Sequence, residues 1–196
     1  MQGTRKIRAP LKTALAVNRN KIMELWLVDI NPELVEAWQR EFEGFDDVYT
    51  ECGNILKIAE NTIVSPANSY GYMDGGIDLE YTNYFGLKPQ EEIQKLIHLR
   101  PEGHLPVGAA VLVETGYEKI PYMISAPTMV NPGPVDASNA FFAMSAILQI
   151  AYKNKNIVKK IFCPGLATGV GRVPYDSAAK EMANAYNKWK QKYIDG

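Results

Sequence analysis

The chain has 196 residues, 46% of them apolar and 22% charged, and a formal net charge of −1. That length suits one hydrophobic core better than two domains, and the composition is that of a soluble globular protein. Near-zero net charge gives no general field for nucleic acid or an anionic membrane surface, so neither is expected as a partner. The longest apolar stretch, Ala140 to Tyr152, is broken by Ser145 and Gln149 and falls short of the roughly 18 residues of a membrane span.

Cys52 and Cys163 share no close spacing, which argues against a disulfide scaffold and fits a reducing, cytoplasmic compartment. His98 and His104 are too few for a histidine-rich metal site, so no metal is expected. The first 22 residues differ in kind: Arg5, Lys6, Arg8, Lys12, Arg19 and Lys21 all precede the first acid. Transit peptides are basic and acid-poor in this way, but the segment lacks their serine content and amphipathic period. Residues 1–22 are therefore read as an extension outside the fold, disordered or non-native, and residues 23–196 as a single domain.

From Met23 onward, strand-like and helix-like segments alternate. Glu24 to Ile30 reads as a buried strand, and Asn31-Pro32 supplies an N-cap and a first helical position. Leu34, Val35, Trp38 and Phe42 then recur at helical spacing. Short strands are expected at Val48 to Cys52 and Thr62 to Val64. Gly75-Gly76 opens a helix to about Phe85, and Pro89 starts another with Ile93, Leu96 and Ile97 on one face. Strands at Ala109 to Glu114 and Tyr122 to Ala126 come next, then a helix from Ala137 to Tyr152 and a strand at Lys160 to Cys163. A last helix starts at Pro174 and carries Ala178, Met182, Ala185 and Trp189 along its buried stripe. Such alternation makes a layered α/β domain with helices on both faces of a sheet.

Two glycine-rich stretches follow strands and precede helices: Ser65 to Asp78 and Pro164 to Pro174. Glycine admits positive φ and leaves no Cβ between a ligand and the backbone N–H groups. A helix N-terminus after such a turn offers free N–H donors and a dipole that favours anions. Two loops of this kind at one end of a sheet would grip a diphosphate from both sides. Either alone reads equally well as an ordinary turn with a helix cap.

Taken together, these segments resemble the macro domain family over roughly Cys52 to Ala179. Val64-Ser65-Pro66-Ala67-Asn68 and Asp74-Gly75-Gly76-Ile77-Asp78 are similar to its Val-Asn-Ala-Ala-Asn strand and Gly-Gly-Gly-Val-Asp turn. Asn68 and Asp78 stand ten residues apart, as does the catalytic-type pair of its MacroD-like hydrolases. Pro106-Val107-Gly108-Ala109-Ala110 with Thr115-Gly116-Tyr117, and Pro164 to Gly171, resemble its later motifs in the same order.

The resemblance implies a three-layer α/β/α sandwich with a mixed central sheet, and ADP-ribose or an ADP-ribosylated substrate as the partner. It implies no cofactor, and an activity as an ADP-ribosyl hydrolase or ADP-ribose 1″-phosphate phosphatase that needs neither metal nor nucleophilic side chain. Gly53-Asn54-Ile55 stands where the family carries Gly-Asp-Ile, whose acid accepts from the adenine amino group. Asn54 keeps a carbonyl acceptor there but loses the charge, which implies weaker adenine selectivity, and Ile55 lies beside it. Asn68 would bond the distal ribose, and Asp78 would orient water or a ribose hydroxyl. Gly75, Gly76, Ile77, Thr168, Gly169, Val170 and Gly171 would give N–H groups to phosphate, with Arg172 beside them.

The chain also departs from the family pattern. Ser65 replaces an asparagine, Asp74 a glycine and Ser125 a frequent histidine, while Gly171 stands where an aromatic covers the distal ribose. No strand follows the last helix, so Met23 to Ile30 is expected to cover the sheet edge left open. Tyr70, Tyr72, Tyr81 and Tyr84 form an aromatic patch, and one of them is a candidate cover for the ligand.

Two other readings touch parts of the chain. Leu27-Val28-Asp29-Ile30-Asn31 ends in an acid of the kind that binds a cofactor ribose in nucleotide-binding folds. Those folds place a glycine-rich loop about 20 residues earlier, where this chain has only Gly3. The other reading is a non-catalytic module that keeps the fold alone.

Overall fold

The computed structural model describes residues 22–194, so the expectation about the basic N-terminal segment falls on residues outside the described ones. The elements run β1 (Glu24–Asp29), α1 (Pro32–Glu41), β2 (Val48–Cys52), α2 (Ile55–Ile58), β3 (Thr62–Ser65), α3 (Gly76–Phe85) and α4 (Lys88–His98). They continue as β4 (Val111–Glu114), β5 (Tyr122–Ser125), α5 (Ser138–Lys153), β6 (Lys160–Cys163) and α6 (Tyr175–Tyr193).

One six-stranded sheet has the order β2-β1-β6-β3-β5-β4. All pairings are parallel except β4 with β5, so the sheet is mixed. Leu25 and Leu27 of β1 join α1, α5 and α6 in a core on one face. Val28, Ile63, Met123 and Phe162 join Tyr81, Ile93 and Ile97 in a second core on the other. Strands apolar on both faces are what a parallel sheet covered on both sides requires. The result is a three-layer α/β/α sandwich.

Local signals explain most element ends. The Asn31 side chain accepts from the N–H groups of Glu33 (2.9 Å) and Leu34 (3.4 Å), capping α1 ahead of Pro32. Trp38 is fully buried and its indole N–H meets Met182 Sδ at 3.4 Å, which fixes α1 on α6.

Several expectations are corrected. Ala109 and Ala110 lie before β4, because Pro106 and Gly108 (φ 93°) form a turn closed by Ala109 N–H to Pro106 O. Leu96 is exposed while Ile93 and Ile97 are buried, so the packed face of α4 is narrower than its apolar residues suggest. The one-turn helix α2, capped by Asn54, lacked any periodic signal. β1 does join the sheet, but as an interior strand between β2 and β6; the edges are β2 and β4. An interior place demands burial on both faces, and Leu27 and Val28 are both 0% exposed.

Leu27→Ala is therefore expected to lower unfolding free energy by about 2–5 kcal/mol, the cost of truncating a fully packed leucine. Urea unfolding checks this, and a loss below about 1 kcal/mol would belong to a peripheral strand.

Candidate functional site

Because the pairings of β1, β6 and β3 are parallel, their carboxyl ends emerge together, the usual place for a ligand in such sheets. A cavity of about 460 Å³ opens there. Val28–Ile30 and Gly53–Leu56, at the ends of β1 and β2, line it on one side of β6, and Asn68, Tyr72 and Asp74–Asp78, which follow β3, line it on the other. Pro164, Gly165 and Ala167–Gly171 follow β6, which lies between β1 and β3 in the sheet, and Thr128, Met129 and Pro132 complete the wall.

The first loop passes into α3 at Gly75, and no side chain caps that N-terminus. Its first-turn N–H groups thus remain available to an anion. Gly76 has φ 56°, a left-handed conformation that a larger residue adopts only with strain.

The second loop is built differently from expectation. Its left-handed residues are Ala167 (φ 61°) and Arg172 (φ 54°) rather than any of its glycines. Hydrogen bonds from Val173 N–H to Ala167 O (3.1 Å) and from Arg172 N–H to Gly169 O (3.0 Å) hold the turn. Gly171 is required by space: a Cβ there would strike the Ala167 backbone. That contact explains why no aromatic stands at this position.

Among the described residues no lysine or arginine lines the cavity, whereas Asp29, Asp74, Asp78 and Glu80 do. Within this wall the donors that can meet an anion are backbone N–H groups. Asp78 is buried, and Ser65 Oγ donates to its Oδ1 at 2.6 Å. Burial pushes the Asp78 carboxyl up to about 7; the Ser65 bond opposes this shift and the nearby Asp74 charge adds to it. One turn further on, Tyr81 is fully buried and its hydroxyl lacks a partner among the described residues, as does that of Ser125. Desolvation and the Asp78 charge raise the Tyr81 phenol well above its ordinary range.

The profile of the Macro domain family matches residues 64–182. This chain belongs to that family. A protein of Aquifex aeolicus (strain VF5), described as uncharacterized, is 34% identical over 150 residues, covering 76% of this macro domain protein and 86% of its own length. An uncharacterized protein of Aeropyrum pernix is 30% identical over 147 residues, covering 72% and 74%. Among solved structures, an Oceanobacillus iheyensis macrodomain with ADP superposes with TM-score 0.58 at 20% identity, covering 68% of this chain and 70% of that one. A mutant of the same macrodomain with ADPR gives 0.59 at 20% identity, covering 69% and 74%. The macrodomain of Thermus aquaticus DarG gives 0.58 at 19%, covering 69% and 87%. At these identities the structures establish the shared fold.

In this macro domain the cavity wall gathers Asn54, Ile55, Asn68, Gly75, Gly76, Ile77, Asp78, Thr168, Gly169, Val170 and Gly171. Arg172 is exposed and lies outside the wall. Asn68 is tied into its own turn: Oδ1 accepts from Tyr70 N–H (3.0 Å) and Tyr72 N–H (3.4 Å), and Nδ2 donates to Tyr72 O (2.9 Å). Of the four tyrosines, Tyr72 alone reaches the cavity; Tyr84 packs on Phe85 and Tyr117 instead. Sequence reasoning missed the Ser65–Asp78 bond, though a strand-end serine facing a first-turn acid was visible. It also set aside Asp29, which lines the cavity.

Asp78 gives a pH test. Its carboxyl titrates near 7 when folded against 3.8 ordinarily, so the folded state holds the proton more strongly. Its contribution to stability is present in full below pH 3.8 and is lost as pH rises through 7. Relative to Asp78→Asn, the unaltered protein is expected to lose up to about 4 kcal/mol across that window, with no further change above it. Denaturant unfolding from pH 4.5 to 8 measures the difference.

Proposed function

We propose that this macro domain binds ADP-ribose, or an ADP-ribosylated ligand, in the cavity between its two glycine-rich loops. The observation that carries the reading is the pairing of the uncapped α3 N-terminus with the loop after β6 across one cavity. Its volume suits a ligand of nucleotide size. Family membership and the Oceanobacillus iheyensis macrodomain structures with ADP and with ADPR support the same ligand class.

In this reading the N–H groups of Gly75, Gly76 and Ile77 and those of Thr168 to Gly171 receive the diphosphate. Asn68 and Asp78 meet the distal ribose, and Asn54 and Ile55 bound the nucleoside end. Arg172, exposed just past the second loop, contributes attraction from the rim rather than contact. The free thiols Cys52 and Cys163 fit a cytoplasmic setting, and no helix among the described residues is long and apolar enough to cross a membrane.

Hydrolysis of an ADP-ribosyl or ADP-ribose 1″-phosphate bond would use Asp78 to orient a water while the loops hold the distal ribose. Its proximity to neutral pKa suits proton transfer near pH 7. The non-catalytic reading is favoured by Asn68, whose amide is committed to its own turn. We therefore expect binding with slow turnover.

Gly169 borders the cavity with open space around its Cβ position, so Gly169→Val leaves the fold intact while filling the ligand's volume. Calorimetry is expected to show ADP-ribose binding at least about tenfold weaker, or ~1.4 kcal/mol. Unchanged affinity would place the ligand elsewhere. Turnover on mono-ADP-ribosylated protein and on ADP-ribose 1″-phosphate is expected to be slow and to vanish in Asp78→Ala. Slow release indifferent to that substitution identifies a reader.

A further inference from the structure

The β1–α1–β2 unit precedes residues 64–182, the stretch matched by the family profile, yet it forms one end of the cavity wall. β1 ends there in Asp29, whose carboxylate is held in place from two sides. Asn31 N–H donates to Oδ1 at 2.9 Å and Gly165 N–H to Oδ2 at 3.3 Å. Each carboxylate oxygen keeps a second acceptor position. The Asp29 carbonyl accepts from Gly53 N–H at 2.9 Å, which sets this acid beside the Gly53–Asn54 rim. Next to it Ile30, 76% exposed, presents an apolar side chain to the same end of the cavity.

Asn54 offers a ligand less. Its amide has one uncharged acceptor oxygen, which already takes the Leu56 N–H at 2.9 Å to cap α2 and keeps a single further acceptor position, whereas the charged Asp29 carboxylate keeps two. Asn68 and Asp78 belong to the β3 side of the cavity, across β6 from Asp29. A diphosphate gripped between the loops leaves the nucleoside to the β1–β2 end, where Asp29 is a fixed acceptor with spare capacity.

We propose that Asp29 determines ligand selectivity at this site, its carboxylate accepting a hydrogen bond from the nucleoside end while Ile30 packs on the base. The donor is the exocyclic amine of the base or a hydroxyl of its ribose, chemistries that one carboxylate serves equally. The inference rests on the proposed ADP-ribose binding. It assigns a role to a strand-end acid outside the profile-matched stretch.

Calorimetry on the full chain, with ADP-ribose, its inosine counterpart and its 2′-deoxyadenosine counterpart, tests it. The unaltered protein is expected to prefer ADP-ribose over one analogue by about tenfold or more, the effect of a hydrogen bond to a charged group. The inosine arm identifies the amine as donor and the deoxy arm the hydroxyl. Asp29→Ala is expected to abolish that preference. Asp29→Asn, which keeps the side chain's shape, is expected to reduce it, and it carries the test if the alanine variant does not fold. A preference that survives in the folded variants, equal weakening toward all three ligands, tighter binding on removal of the charge, or no preference in the unaltered protein overturns the proposal. Absence of any ADP-ribose binding by the unaltered protein overturns the functional reading itself.

Discussion

β6 hydrogen-bonds in parallel to β1 on one side and to β3 on the other, and those two ladders bring the ends of β1, β3 and β6 together at the cavity. Leu27 stands opposite Cys163, and Ile63 opposite Phe162. Asp29, Ser65 and Pro164 therefore emerge at one end of the sheet, although 136 residues separate Asp29 from Gly165, whose N–H it accepts. Because both faces of these strands are buried, a slip of one residue would turn apolar side chains into the wrong layer. Register and site geometry are thus specified by the same packing.

The electrostatic character of the cavity follows from what lines it. Among the described residues the wall carries four acids and no basic side chain, so the groups in it that favour an anion are oriented N–H groups, chiefly at the α3 N-terminus. Burial keeps Asp78 protonated to higher pH than an exposed carboxyl, which lowers the negative charge facing the ligand near neutrality. Ser65 works in the other direction by donating to the ionised form. With its carboxyl near 7, Asp78 stands between a neutral hydrogen-bond donor and a charged acceptor.

Much of this site was legible in the chain. The two loops and the resemblance they carry identified eleven of the wall residues, and the Asn31-Pro32 cap was readable to the residue. What escaped was contact rather than composition. Asn68 reads as a ribose ligand by motif, yet it spends three hydrogen bonds on its own turn. Gly171 reads as the loss of a ligand-covering aromatic, yet its backbone approaches Ala167 too closely for any side chain. Asp29 was visible as a strand-end acid and was set aside for want of a glycine loop before it. In the fold, the glycine-rich loop beside Asp29 follows β6, far later in the chain.

By itself the sequence determined the alternation of strands and helices, the caps, and the membership of a layered α/β class. Those depend on periodicity and turn chemistry within a dozen residues. The order of the strands was decided only in three dimensions. β1 looked fit to cover an edge, because a single apolar strand says nothing about which neighbours it has. Its place between β2 and β6 comes from α1 packing on α6 through Trp38 and Met182, 144 residues apart, and from Leu27 facing the core that those helices share. Hydrophobic burial is non-directional and long-range in sequence, so the partner of each apolar face is fixed when the whole chain packs.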